Sequence, residues 1–182
     1  TTFTSRKISI GIPRSLSFHQ LGIFWIHLFH NLGFDVIISP ETDKEIVNAG
    51  LASMTCETCF PVKISHGHAA VLKDKCDFLF MPLMIEMSSD RKDFSFYCPY
   101  VESNTYMLKA ALNLDSSKIM KPAVYINKGL KSIEKAFMSE FNRLRLGFDS
   151  DLFEKAYNKA VKADNDFQEK IHRIGKEILK KL

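Results

Sequence analysis

The sequence predicts an α/β fold: a mostly parallel sheet of about four or five strands, helices on both faces, and a C-terminal helical extension. Three observations carry this. The first forty residues spell strand, helix, strand. Short β-rich apolar runs then alternate with helical patterns to about residue 130, and from Lys131 the pattern is helical only. Strands that alternate with helices in this way form mostly parallel sheets, buried on both faces.

Residues 7–12 (KISIGI) form a β-rich run that ends at Pro13. Leu21, Phe24, Trp25, Leu28, Phe29 and Leu32 follow at the i, i+3, i+4, i+7 spacing of one buried helical face. Gly33 is the natural stop of that helix, and residues 34–39 (FDVIIS) supply the second strand of a βαβ unit. After Pro40, residues 41–50 read as a loop with a short helix, and 51–60 as an irregular stretch with two cysteines. Residues 61–73 read as a helix and 77–82 (DFLFMP) as a buried strand. Residues 84–97 are mixed and turn-like, and a loop of that length points to function. Residues 99–112 form a helix and 122–127 (PAVYIN) a fourth strand.

The extension has a helix over 133–144, a stop at Gly147, and a restart with Asp151 as N-cap and Glu154 three residues on. The last helix keeps an apolar stripe from Ala156 and Ala160 through Phe167, Ile171, Ile174 and Ile178 to Leu182. The chain therefore divides into an α/β cysteine-bearing domain over 1–130 and a helical extension over 131–182, expected to lead into a second domain.

Composition narrows the class. Fifteen Phe among 182 residues and a 46% hydrophobic share exclude a disordered chain. A net charge of +4 is too small and too spread out to argue for nucleic acid. The longest apolar run, 21–29, is cut by His27 and falls short of the roughly eighteen residues a membrane span needs. Residues 1–5 lack the basic start and apolar stretch of a secretory signal, so a cytoplasmic protein is expected; the start without Met suggests a piece of a longer one. Four cysteines are too few to staple such a chain and read as thiols, metal ligands or packing.

The densest chemistry lies in residues 55–68 (TCETCFPVKISHGH). Proline favours the first helical position, so Pro61 places Phe60 at an N-cap with Cys59 just before it. Cys98-Pro99 repeats the arrangement with Cys98 as the cap itself. A thiolate at such a position meets free backbone N–H groups and the positive end of the helix dipole, which suits a metal ligand. His66 and His68 are two apart and cannot easily clamp one ion from a helix, whereas Lys63, His66 and Gly67 share a face. Gly67 inside a helix signals a close backbone approach or a ligand. Cys76 reads as core. No phosphate-binding glycine loop and no Gly-x-Ser-x-Gly elbow occurs.

Ile10-Gly11-Ile12-Pro13-Arg14, Glu57 to Lys63 with His66-Gly67-His68, and Cys98-Pro99-Tyr100-Val101 together resemble the cysteine-bearing region of proteins related to the activator of 2-hydroxyacyl-CoA dehydratases. The resemblance runs in order over about residues 7–182. It implies a Rossmann-like domain in an anaerobic, ATP-driven electron-transfer or reductive-dehydration system. It also implies an iron–sulfur cluster, of the 4Fe-4S kind, held by Cys59 and Cys98. Cys56, Lys63, His66 and His68 would stand beside that cluster. The implied partners are an ATP-hydrolysing activase domain or subunit, and a second α/β domain or a second copy of the chain. Two other readings stay open. Cys56-Glu57-Thr58-Cys59 could be a thiol–disulfide pair at a helix start, or it could be half of a zinc-stabilised interaction module.

Overall fold

The structure, a computed structural model, describes residues 7–54, 56–87, 89 and 95–181. Residues 1–5, Thr55, Leu182, and 88 and 90–94 of the stretch 84–97, which the sequence reading used, lie outside them.

The chain opens with β1 (Ser9–Ile12), α1 (Phe18–Asn31) and β2 (Asp35–Ile38), the expected βαβ unit, and Gly33 takes the positive φ of +89° that ends α1. Next come α2 (Lys44–Ser53), α3 (Phe60–Leu72), β3 (Phe78–Phe80), β4 (Leu83–Glu86), α4 (Pro99–Ala111), β5 (Ile119–Met120) and β6 (Ala123–Tyr125). α5 (Gly129–Arg143) and α6 (Ser150–Leu179) complete it. The main sheet runs β2-β1-β3-β5 and every pairing in it is parallel.

A second, two-stranded parallel sheet pairs β4 with β6. It continues the first. Leu79 pairs with Ile119 below the break and Leu83 with Ala123 above it, at the same spacing. Between them stand Pro82 and Pro122, which have no N–H to donate. The amides of Met81 and Leu83 bridge the gap to Met120 O and Pro122 O at 2.8 and 2.9 Å. The expectation of a turn-like stretch over 84–97 therefore fails in its first part: Pro82 interrupts a strand there rather than ending it. Glu86 then meets Phe96 in an isolated antiparallel bridge.

Side-chain alternation divides the core between the two faces. Ile10, Ile12, Phe80 and Met120 face one cluster with Trp25, Leu28 and Phe29 of α1, Phe137 and Phe141 of α5, and Phe153, Ala156 and Ala160 of α6. Leu79 and Ile119 face a smaller cluster with Ala69 and Leu72 of α3 and Leu108 of α4. Gly11 also faces this side, where an added Cβ would stand 2.5 Å from Cys76 Sγ. Cys76 is accordingly a packing residue, and burial pushes its thiol pKa up. The restart of α6 differs from the expectation. Asp149, not Asp151, is its N-cap, because the Asp149 carboxylate accepts from Leu152 N at 2.9 Å.

Candidate functional site

α3 and α4 begin alike. Cys59 is the N-cap of α3, one residue earlier than the Phe60 cap expected from the sequence, and Cys98 is the N-cap of α4. The shift follows because the first amides of a helix lack intrahelical acceptors, so Pro61 is tolerated as the second helical residue as readily as Pro99 is as the first. Each cysteine carbonyl accepts the first helical amides, from Val62 and Lys63 at 3.1 and 3.2 Å and from Val101 and Glu102 at 2.8 and 3.1 Å. Neither thiol spends itself on a cap hydrogen bond, and both cysteines are exposed.

The topology places these two caps on one edge. α3 leads by a short turn into β3, and α4 leads into β5, the parallel neighbour of β3 on the sheet. Both helices pack on the Leu79 and Ile119 face. They therefore run side by side in the same direction, with their N-termini at the carboxyl edge of the strands. One contact fixes their relative height: Ser65 Oγ donates to Asn104 Oδ1 at 3.1 Å. Ser65 stands six residues after Cys59, and Asn104 six after Cys98. Both cysteines thus lie about 9 Å along their helices from a shared contact, at the same level. The sequence placed Ser65 within the 55–68 stretch without giving it a role, and did not point to Asn104. Laying one Cys-to-Pro helix start over the other would have paired them.

Cys56 is exposed in the bend between α2 and α3, beside a shallow depression lined also by Leu51, Met54, Glu57 and Lys63. Lys63 is engaged there: its Nζ donates to Glu57 Oε2 at 2.9 Å. The hydrogen bond and the charge of Lys63 hold the Glu57 carboxyl below its ordinary range.

The two histidines lie beneath this edge. His68 is fully buried, with Nδ1 at 2.8 Å from Ser39 Oγ and Nε2 at 3.0 Å from Thr42 Oγ1. Ser39 Oγ also accepts from Arg14 N at 2.7 Å, so His68 is tied to a hydroxyl at each ring nitrogen. His66 is also buried, with Nδ1 3.4 Å from Ser53 Oγ and no hydrogen-bond partner for Nε2 among the described residues. Burial lowers both pKa values. The Asn104 amide partly offsets this at His66, and Asp43 does so at His68, where His19 and Arg14 add to the lowering.

Gly67 meets the backbone of α2. A Cβ there would stand 1.9 Å from Ile46 O, and one on Gly50 would stand 2.2 Å from Lys63 O. The two glycines let α2 and α3 cross backbone to backbone, which is the close approach the sequence implied.

Exposed, uncommitted thiols at two helix N-termini match the soft-donor chemistry of an iron–sulfur cluster. They are also an incomplete set: among the described residues, no group of three or more His, Cys, Asp or Glu side chains is placed to hold a metal ion. No helix among those residues is long and apolar enough to cross a membrane.

A family model described as "CoA enzyme activase uncharacterised domain" matches residues 9–182. No curated protein and no solved structure matches the chain.

Proposed function

This chain belongs to the family described as the CoA enzyme activase uncharacterised domain, and from that premise we propose that it is the iron–sulfur-binding part of a 2-hydroxyacyl-CoA dehydratase activator system. In this reading Cys59 and Cys98 supply two thiolates to a cluster that carries a low-potential electron. Such a cluster takes three or four protein thiolates. Cys56 is the next donor in the chain, and a second α/β domain or a second copy of the chain supplies the remainder. An ATP-hydrolysing activase domain or subunit delivers the electron. Lys63 adds positive charge on the first turn of α3, and His66 and His68 brace that helix from below.

The observation that carries this reading is the matched pair of caps: two exposed cysteines at equal offsets from the Ser65–Asn104 contact, on adjacent helices that point the same way. Anaerobic reconstitution with iron and sulfide tests it. The protein should gain visible absorption and, once reduced, a paramagnetic signal. Cys59→Ala and Cys98→Ala should each lose at least half of the bound iron, while Cys76→Ala keeps it. A colourless protein whose two variants match the parent would overturn the reading.

Cys56 and Cys59 are both exposed and stand three residues apart at the start of α3, which favours a second reading as a dithiol–disulfide pair. A redox titration of anaerobically purified protein separates the two: this pair must give up two electrons and two protons reversibly. Metal analysis separates the zinc-stabilised module, which would hold stoichiometric zinc without acid-labile sulfide.

A further inference from the structure

The stripe on α6 keeps a strict spacing. From Ala160 through Asp164, Phe167, Ile171 and Ile174 to Ile178 the steps alternate between four and three residues, and Tyr157 and Phe153 extend the same alternation backwards. This is the 3.5-residue repeat of a coiled-coil seam, not the 3.6-residue drift of a helix lying on a globular core.

α1 covers only the first part of that seam. Phe24 meets Tyr157, and Phe18 and Ile23 stand with Phe167 around one surface depression, so the start of α1 lies towards the end of α6 and the two helices run antiparallel. α1 has 14 residues and α6 has 30, about 21 and about 45 Å of helix. The seam therefore runs on past the start of α1. There Ile171, Ile174 and Ile178 are exposed, with Phe167 at the border. The open stretch continues an interface that the chain already uses.

The flanks of the stretch say what covers it. Lys170 and Glu177 come immediately before Ile171 and Ile178, and Gln168 and Gly175 immediately after Phe167 and Ile174. In a coiled coil these flanking positions meet across the seam and set partner and orientation. Two antiparallel copies of the stretch place Phe167 opposite Ile178 and Ile171 opposite Ile174. Lys170 of each copy then meets Glu177 of the other, and the uncharged Gln168 meets Gly175. A parallel pair would set Lys170 against Gly175 and leave both charges unmatched, and it would press the two α/β bodies side by side. The antiparallel pair sets the bodies at the two ends of the paired stretch. Lys170 and Glu177 are exposed, and neither forms an ion pair among the described residues.

We propose that residues 167–178 of α6 form a self-association surface, pairing antiparallel with the same stretch of a second copy about a two-fold axis between His172 and Arg173. Such a contact uses the same patch on both copies and closes as a dimer. Two heptads bury little, which places the contact in the weak class of under roughly 1,200 Å². The chain is accordingly a monomer when dilute and pairs when concentrated. None of these residues is a proposed iron ligand, so the surface is independent of the cluster reading.

Sedimentation equilibrium of the full chain, reduced and free of iron, tests this, because neither a disulfide nor a shared cluster can then join two copies. A monomer–dimer equilibrium is expected as the protein is taken from low micromolar to millimolar concentration. Ile171→Glu sets a charge in the seam and should weaken dimerisation by about tenfold or more, with unchanged circular dichroism. Lys170→Glu and Glu177→Lys, at exposed positions that leave the fold alone, should each weaken it about fivefold, since each turns both symmetry-related pairs into like charges. The double variant exchanges the pair and should return to within about twofold of the parent. A monomer at every concentration, the result if another segment or another protein covers the stripe, overturns the proposal. So does a dimer that Ile171→Glu or the single charge reversals leave intact, or a double variant that dimerises no better than the singles.

Discussion

At the scale of single residues, the cysteines were legible and the histidines were not. Cys59 and Cys98 announced themselves because proline after cysteine is a local helix-start signal, and the only error was one position in the cap of α3. His68 gave no such signal. Its role depends on Ser39 and Thr42, which come from the far side of α2 and meet it only in the folded chain. The consequence is a dependence of stability on pH. Burial makes His66 and His68 bind a proton more weakly in the folded state than the ordinary value of 6.5 allows. Above that value neither state is protonated and the full stability is present. As pH falls below it, the unfolded chain takes up protons first and stability is lost, down to the lowered folded values. The urea midpoint should therefore drop between about pH 8 and about pH 5.5, and His68→Gln should flatten the drop while lowering the midpoint at both. An equal drop in parent and variant would place the effect elsewhere.

Elements were legible where the pattern is local and obscure where a partner completes it. α1 and α6 showed in their own periodicity. β5 has only two residues, Ile119 and Met120, and exists because β3 lies beside it. β4 was hidden behind Pro82, whose local signal says stop while the ladder bridges over it. The α2–α3 crossing depends on both glycines, so Gly67→Ala should not give the stabilisation of about 1 kcal/mol that alanine normally brings to a helix. Its methyl group would meet Ile46 O, backbone that cannot swing aside. The expected outcome is a loss of about 1–3 kcal/mol in denaturant unfolding, with Gly50→Ala behaving alike. Gly175→Ala serves as the control, because nothing stands within 4 Å of its added Cβ. A stabilised Gly67→Ala would show that the helices part more easily than their contact implies.

Across the whole molecule, the parallel sheet and the two helical layers follow from the alternation of patterns. The packing of the last helix does not. α6 lays its first half on α1: Phe153, Ala156 and Ala160 are buried, and the Tyr157 ring meets Phe24 at 5.4 Å. Its second half leaves Phe167, Ile171, Ile174 and Ile178 between 37% and 56% exposed. One stripe in the sequence thus serves two environments, and periodicity alone could not divide it. Phe153→Ala should cost about 3–5 kcal/mol by urea unfolding, while Ile174→Ala should change stability by less than about 0.5 kcal/mol. Comparable losses would mean that the outer half is held as firmly as the inner.

The α1–α6 contact also sets a clock on biosynthesis. α1 leaves the ribosome early, but the helix that covers Phe24 follows roughly 130 residues later, which at translation speeds of about 5–20 residues per second is roughly 7–26 s. Over that interval the nascent chain carries an uncovered aromatic face on α1. This is the kind of surface that draws chaperones while the rest of the chain is still being made.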